Sequence, residues 1–275
     1  MNLVLDIGNT VTKCGLFSTE QELLWFSTTP TDSKTFSAIA AEIANKASKL
    51  SWQWSGSLVA VSSVVPSAGT AFCNDARKAG AKIFEISAST QNILTGVSNA
   101  MGADRVAEAV GAWTAYRVIG RPMIVLGLGT ASTMLTINEH GCVGGGFIGP
   151  GVTMILEGLA RKCALLPRTD LSKAKTTVGY TTESQMDNGV LLLVRGMIHE
   201  WLEVAKAEFE QTPVVVVTGG WSLRVAEQFP TLFDTVDVPL ALKGSAQIVA
   251  QSLVDGSGRN AKKTITTQTK GKHND

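Results

Sequence analysis

Apolar residues fall into short runs separated by polar turns, and their spacing changes from strand-like to helical along the chain. Residues 2–8, 11–18 and 22–28 alternate or run apolar and predict three strands in a meander. Over 34–50 the apolar positions Phe36, Ile39, Ile43, Ala47 and Leu50 recur at helical spacing. Residues 57–65 read as a strand ended by Pro66, 68–79 as a helix and 82–86 as a strand. Three strands, helix, strand, helix, strand is the order of an α/β half-domain. A helix over 102–116 carries Asp104 in its first turn, and the apolar run 123–128 then restarts the pattern. Glycines and Pro150 make residues 144–151 unfit for a helix interior, so they predict a loop that brings backbone close to a neighbour, with a helix over 152–162 after it. Residues 186–209 predict a long helix whose buried face is Leu191, Leu192, Val194, Met197, Ile198, Trp201, Leu202, Ala205 and Phe209. A buried strand over 214–217 runs into Thr218-Gly219-Gly220, and 240–253 form a last amphipathic helix. From Asp255 the chain is polar without apolar period, which predicts a disordered tail over 255–275.

One segment occurs twice. Val4-Leu5-Asp6-Ile7-Gly8-Asn9-Thr10-Val11-Thr12-Lys13 returns as Val125-Leu126-Gly127-Leu128-Gly129-Thr130-Ala131-Ser132-Thr133-Met134. Each copy reads as a strand, a Gly/Thr-rich turn and a returning strand. Two such hairpins predict a duplicated domain, with halves over 1–118 and 119–254 and a cleft between them. Asp6 of the first copy is Gly127 in the second.

Composition narrows the classes of function. A net charge of +1 gives no electrostatic footprint for nucleic acid, so no DNA or RNA partner is expected. No apolar run approaches the roughly 20 residues that span a bilayer, and no signal-like segment opens the chain, so a cytoplasmic protein without a membrane partner is expected. Cys14, Cys73, Cys142 and Cys163 form no CxxC pair and have no histidine at ligand spacing, which predicts free buried or half-buried thiols. His140, His199 and His273 are scattered and are expected at the surface.

The first hairpin has the parts of a phosphate site. Gly8 admits a phosphate close to the backbone, Asn9 and Thr10 offer donors, and Lys13 offers a cation. Asp6 stands at a strand end, where a carboxylate can hold Mg²⁺ directly or through water. An ordinary turn is the competing reading. In Gly102-Ala103-Asp104-Arg105 an acid in a first helical turn is commonplace, and the functional reading makes Asp104 a general base and Arg105 an anchor for an anionic substrate. Thr218-Gly219-Gly220 suits either packing against a nucleotide base or a plain strand-to-helix turn.

Taken in order, these motifs resemble those of type III pantothenate kinases, over roughly residues 1–250. The resemblance implies an α/β, actin-like fold of duplicated ribonuclease-H-like domains, each a mixed five-stranded sheet flanked by helices, with a nucleotide cleft between them. It implies ATP-dependent phosphorylation of pantothenate to 4′-phosphopantothenate, the first step of coenzyme A biosynthesis, with ATP, Mg²⁺ and a monovalent cation, K⁺ or NH₄⁺. Asp6, Ile7, Gly8, Asn9, Thr10, Val11, Thr12 and Lys13 resemble the family's first ATP-phosphate motif. Ser62-Ser63-Val64-Val65-Pro66 is similar to its strand-ending motif, and Gly129 and Thr130 to its second phosphate loop. Gly102, Ala103, Asp104 and Arg105 resemble the substrate motif, which implies Asp104 as the base and Arg105 as a group that binds the substrate carboxylate or helps align it. Gly145-Gly146-Phe147-Ile148-Gly149-Pro150-Gly151 and Leu166-Pro167 are similar to two further motifs, and Gly219 to the adenosine-side turn. Thr182 matches a threonine that reaches pantothenate from the neighbouring subunit, which implies a homodimer.

Two features depart from the family pattern. Gly127 stands where the second phosphate loop normally begins with an aspartate that helps hold the monovalent cation, and Leu135 stands where an acid is common. The segment 95–101 is short and lacks the tyrosine that family members often place near the substrate. A second reading is therefore a catalytically weak or inactive relative, kept as a ligand-binding accessory or regulatory protein. A third is another actin-like phosphotransferase, such as a sugar or acetate kinase, or a phosphatase of that fold. The 102–105 motif favours pantothenate over the third.

Overall fold

The computed structural model describes residues 1–32, 34–47 and 52–269. The chain divides into two compact units: Met1–Leu94, Ser98–Val110 and Leu242–Asp275 form the first, Thr95–Val97 and Gly111–Ala241 the second.

In unit 1 the strands are β1 (Asn2–Ile7), β2 (Val11–Phe17), β3 (Leu23–Pro30), β4 (Leu58–Ser63) and β5 (Lys82–Glu85), in sheet order β3-β2-β1-β4-β5. β1 pairs antiparallel with β2 and parallel with β4, so the sheet is mixed. Helices α1 (Thr35–Ala47) and α2 (Pro66–Lys78) intervene in the chain. Side chains alternate across a strand, and Leu3, Leu5 and Ile7 of β1 join Ile39 and Ile43 of α1 and Phe72 and Ala76 of α2 in one buried cluster. The other face of β1 carries Val4 and Asp6. Their cross-strand partners on β2 are Gly15 and Lys13. Alternation therefore places a carboxylate and an ammonium side by side next to the turn of the hairpin. Pro66 occupies the first turn of α2, where a missing N–H costs nothing. Leu50 of the expected first helix lies outside the described residues.

Unit 2 repeats the plan. Its strands are β6 (Met123–Leu128), β7 (Ala131–Ile137), β8 (Val143–Pro150), β9 (Val214–Thr218) and β10 (Thr235–Val236), in order β10-β9-β6-β7-β8. Helix α3 (Ala103–Tyr116) runs from one unit's residues into the other's, and α4 (Val152–Lys162), α5 (Thr182–Lys206) and α6 (Ser222–Gln228) follow. The unit's core joins Ile124, Leu126 and Leu128 to Leu156 of α4, to Leu191, Val194, Ile198 and Leu202 of α5, and to Val215 and Val217 of β9. The last helix, α7, spans Leu240–Thr269 and takes in the first part of the polar segment expected as a tail; residues 270–275 lie outside the described residues. Among the described residues no helix is long and apolar enough to cross a membrane.

Several elements differ from expectation. Residues 144–150 are not a loop but most of β8, paired with β7. Tertiary pairing overrides the poor strand propensity of glycine here, and the glycines serve the close approach: a Cβ on Gly146 would collide with the Met134 carbonyl oxygen. Helix α5 starts four residues before the expected 186, because Thr181 caps it and its side chain accepts a hydrogen bond from the Ser184 amide at 3.2 Å. Leu192, assigned to its buried face, is 38% exposed. Cys163 is exposed, whereas Cys14 and Cys73 are buried and Cys142 is half-buried; all four are free thiols. The two hairpins also differ in length: residues 8–10 link β1 to β2, while only 129–130 link β6 to β7. The returning strand is thereby offset by one. The register partner of Asp6 is Lys13, and that of Gly127 is Thr133 rather than Met134.

Candidate active site

Asp6 is the centre of a charged group in unit 1. It sits on β1 between two register partners, Lys13 on β2 and Ser62 on β4. Lys13 Nζ lies 3.8 Å from Asp6 Oδ2, and Ser62 Oγ donates to Asp6 Oδ1 at 3.3 Å. Asp6 as a whole is only 6% exposed. Burial raises its pKa above the usual aspartate range and the nearby Asp104 raises it further, while Lys13 and the Ser62 hydroxyl partly offset this.

The 8–10 turn closes with the Gly8 amide donating to the Val11 carbonyl at 3.2 Å. Asn9 and Thr10 are exposed at its tip, while Ile7 and Thr12 are buried and Val11 is exposed. Of the eight residues read as the first phosphate motif, Asn9, Thr10 and Val11 thus face solvent, and Asp6 and Lys13 face each other.

Asp104 opens α3. The Gly102 carbonyl accepts the Val106 amide at 3.0 Å, which makes Gly102 the residue before the first turn. Asp104 Oδ1 accepts the Arg105 amide at 2.7 Å, so a free donor of the helix end fixes one carboxylate oxygen. The same oxygen folds back over Gly102: a Cβ there would lie 2.7 Å from it and 3.3 Å from Val64 Cγ1, at the end of β4. Ala103 carries no polar side chain, so its contribution is confined to the backbone. The structure thus brings Asp6, Lys13, Gly102, Asp104 and Arg105 together in one unit.

It also adds Glu108, which the motif reading passes over. Glu108 lies one helical turn beyond Asp104, at the i, i+4 spacing that puts two side chains on one face. Burial pushes its carboxyl up to about 8; Lys13 and Arg105 pull it down, and Asp104 and Asp6 push it up. The signal was available as Asp-x-x-x-Glu on a helix, but apolar periodicity does not register it.

A divalent ion fits this group only with help. Among the described residues no three His, Cys, Asp or Glu side chains come together as a metal cage. Mg²⁺ keeps several waters and commonly takes one or two carboxylates plus substrate phosphates, which suits a single buried carboxyl such as Asp6.

In unit 2 three glycine turns meet. The Gly129 amide donates to the Ala131 carbonyl at 3.1 Å, and Thr130 is exposed at the tip. A Cβ on Gly151 would collide with the Gly129 and Thr130 carbonyl oxygens. Gly219 has φ +100°, and a Cβ there would collide with the Leu128 backbone, while the Trp221 amide donates to the Leu128 carbonyl at 3.1 Å. The Trp221 indole donates to Thr153 Oγ1 at 3.1 Å and so serves packing. Gly127 has neutral register partners, Thr133 and Thr218. These residues do not fit a cation site that needs a carboxylate. Thr182 is exposed on the first turn of α5, with Tyr180 91% and Val178 77% exposed just before it.

Two sheets of like topology, each with a Gly/Thr hairpin at the same place, define a duplicated actin-like α/β protein. Solved structures agree on the fold. A conserved protein assigned to the Baf family of transcriptional activators, from Campylobacter jejuni, superposes with TM-score 0.58 at 17% identity, covering 90% of this chain and 98% of that one. The activator of 2-hydroxyisocaproyl-CoA dehydratase from Clostridium difficile, solved with bound ADPNP, gives 0.53 at 14% identity, covering 94% and 97%. A family model for type III pantothenate kinase matches residues 2–204. The chain belongs to the type III pantothenate kinase family. A curated member from Bacillus cytotoxicus is 38% identical over 144 residues, 52% of this chain and 53% of that relative. The match therefore spans about half the length of that curated relative.

Proposed function

We propose that this chain is an ATP-dependent kinase that transfers the γ-phosphoryl group of ATP to pantothenate, giving 4′-phosphopantothenate and ADP. The observation that carries this reading is the placement of Asp104, held at a helix start by the Arg105 amide and grouped with Lys13 and Asp6. Asp104 takes the proton from the substrate hydroxyl as its oxygen bonds to the γ-phosphorus and the bond to the ADP oxygen breaks. General-base action of this kind contributes typically about 10²–10⁴-fold. Arg105 carries a fixed positive charge beside Asp104 and suits the pantothenate carboxylate. Lys13 offsets phosphate charge. Asp6 would hold a Mg²⁺ brought in with the nucleotide, and the ion would supply charge neutralisation at the phosphates.

Gly8 through Lys13 are assigned to the phosphates, and Gly129, Thr130 and Gly219 to the nucleotide, on the resemblance of their motifs. Halves over 1–118 and 119–254 are proposed as the two copies of the duplication, with the chain from Leu242 onward packed into the first unit. No K⁺ or NH₄⁺ step is assigned, because Gly127 supplies no charge. A homodimer in which Thr182 reaches the neighbouring subunit's pantothenate is supported by the exposed apolar surface around α5, where Leu193 is 57% exposed in addition to Val178 and Tyr180. The cytoplasm is the compartment such a kinase implies.

The test is formation of phosphopantothenate from ATP and pantothenate by the wild type and by Asp104→Asn. Product that falls about 10²–10⁴-fold in the variant supports the reading. Ligand binding without product from the wild type points instead to a non-catalytic accessory protein, and turnover of other alcohols alone points to another phosphotransferase.

A further inference from the structure

Unit 2 holds a cavity of about 240 Å³ that the reaction above does not use, lined by Thr176, Arg195 and the segment 228–232. The lining has one cation, Arg195, and no acid; Thr176 and Thr231 add hydroxyls and Gln228 an amide. Its walls are fixed from behind. Asn188 of α5, only 5% exposed, accepts the Lys175 amide at 2.7 Å and donates to the Thr177 carbonyl at 2.8 Å, so it clamps the chain on both sides of Thr176. Arg195 lies seven residues further along α5, the spacing that returns to the same helix face. Its guanidinium carbon stands 5.2 Å from the centroid of the Phe229 ring, within cation–π range. Phe229 is buried at the end of α6, where its amide donates to the Val225 carbonyl at 2.9 Å and its carbonyl accepts the Leu232 amide at 3.2 Å. The ring holds Arg195 in place without giving its N–H donors an acceptor oxygen, and among the described residues no carboxylate pairs with it.

We propose that this cavity binds a small anion, whose phosphate or carboxylate group is received by the Arg195 guanidinium and hydrogen-bonded by Thr176, Thr231 and Gln228. The planar fork of arginine matches both groups bidentately, and such charge-assisted bonds are the strong ones. Size limits the occupant. At about 30 Å³ per water the cavity has room for about eight waters, enough for inorganic phosphate or a short carboxylic acid and too little for a nucleotide. An anion of so few atoms binds with a Kd on the order of 1 mM. None of these residues belongs to the candidate active site, so the inference stands apart from the kinase reading.

The experiment follows backbone amide NMR shifts of the full chain while inorganic phosphate, acetate or chloride is added to about 20 mM at constant ionic strength. Wild type, Arg195→Lys and Arg195→Gln are compared. The expected result is saturable movement of the Thr176, Phe229, Thr231 and Leu232 amides with phosphate, acetate or both, weakened at least about tenfold in Arg195→Gln and less in Arg195→Lys, which keeps the charge but loses the fork. Saturation by phosphate alone assigns the site to phosphate groups, and saturation by acetate alone to carboxylates. Linear shifts with every anion overturn the proposal, as do equal effects of chloride or an unchanged Kd in Arg195→Gln. Should the variants fail to fold, modification of wild-type Arg195 by phenylglyoxal decides: a rate that neither phosphate nor acetate slows refutes the site. Amides of Gly8 to Lys13 report phosphate at the candidate active site separately, and no turnover is read, so this test can fail while phosphopantothenate forms and can succeed while it does not.

Discussion

Replacing Gly102 by alanine isolates the placement of Asp104 from its chemistry. The new Cβ would stand 2.7 Å from Asp104 Oδ1, against about 3.4 Å for ordinary contact, so the carboxylate must move by roughly 0.7 Å, the difference of the two. Val64 Cγ1 at 3.3 Å blocks part of the alternative, in which the backbone moves instead. Gly102 is not one of the left-handed glycines, so alanine fits its backbone conformation. The stability effect should stay within about 1 kcal/mol, since a small loss at a helix start is offset by a stiffer unfolded chain. Catalysis is less forgiving: a misplacement of about 1 Å can cost about 10²-fold, so a 10- to 100-fold drop in kcat is expected, roughly, with nucleotide affinity unchanged. The assay is initial-rate phosphopantothenate formation beside a thermal melt. A kcat within about twofold of wild type would refute the claim that this carboxylate must sit where it does. A collapsed melting temperature would instead make Gly102 a structural residue.

Other perturbations read other parts of the molecule. Activity in Na⁺, K⁺ and NH₄⁺ buffers should be nearly equal, because Gly127 and its partners Thr133 and Thr218 carry no charge; strong K⁺ activation would show that other groups hold the ion. Tyr116→Phe removes a 2.6 Å hydrogen bond to the buried Asp237 carboxylate and should cost about 1–3 kcal/mol in denaturant unfolding. Burial, first, and that carboxylate raise the Tyr116 pKa, so its stabilising contribution is complete below about 10, is lost only as pH climbs above that, and its phenolate absorbance should stay silent until then. The Glu108 pKa is raised from 4.5 to about 8, so its contribution to stability is fully present below 4.5 and is lost as pH rises toward 8. Glu108→Gln should therefore unfold at higher denaturant than wild type at pH 8 and at the same concentration near pH 4.

The elements that could be read from the chain are those whose own periodicity reports their burial. β1, β6 and β9 are apolar runs, and α4 was expected over the residues it occupies because its apolar spacing and its preceding Gly-Pro-Gly act locally. β8 could not be read that way: its glycines weaken any strand, and only pairing with β7 makes one. The start of α5 was hidden because its capping box uses Ser184 where Glu or Gln is the usual signal. The two-residue β10 is too short for any period. Among the candidate site residues, motif order singles out Asp6, Lys13 and Asp104. Ser62 appeared there only as part of a motif, and its hydrogen bond to Asp6 depends on the parallel register of β4, which is set across 56 residues of chain. Glu108 has meaning only once Lys13 is known to act on it from another strand.

Unit 1 is assembled from both ends of the chain, and this sets an order of events during synthesis. Unit 2 is complete once Ala241 has left the ribosome. Unit 1 is not, because α7 brings Leu242, Ala246, Ile248 and Val249, each at most 1% exposed, and because Leu242 lies over Gly15 of β2. The Ser252 hydroxyl, donating to the Thr90 carbonyl at 3.3 Å, ties the same helix to residues made much earlier. A growing chain therefore carries its first sheet with part of one face uncovered while the second unit is made. Contacts of such long sequence separation form slowly. The waiting sheet is the segment most in need of a chaperone, and the half of the protein translated first is the last to mature.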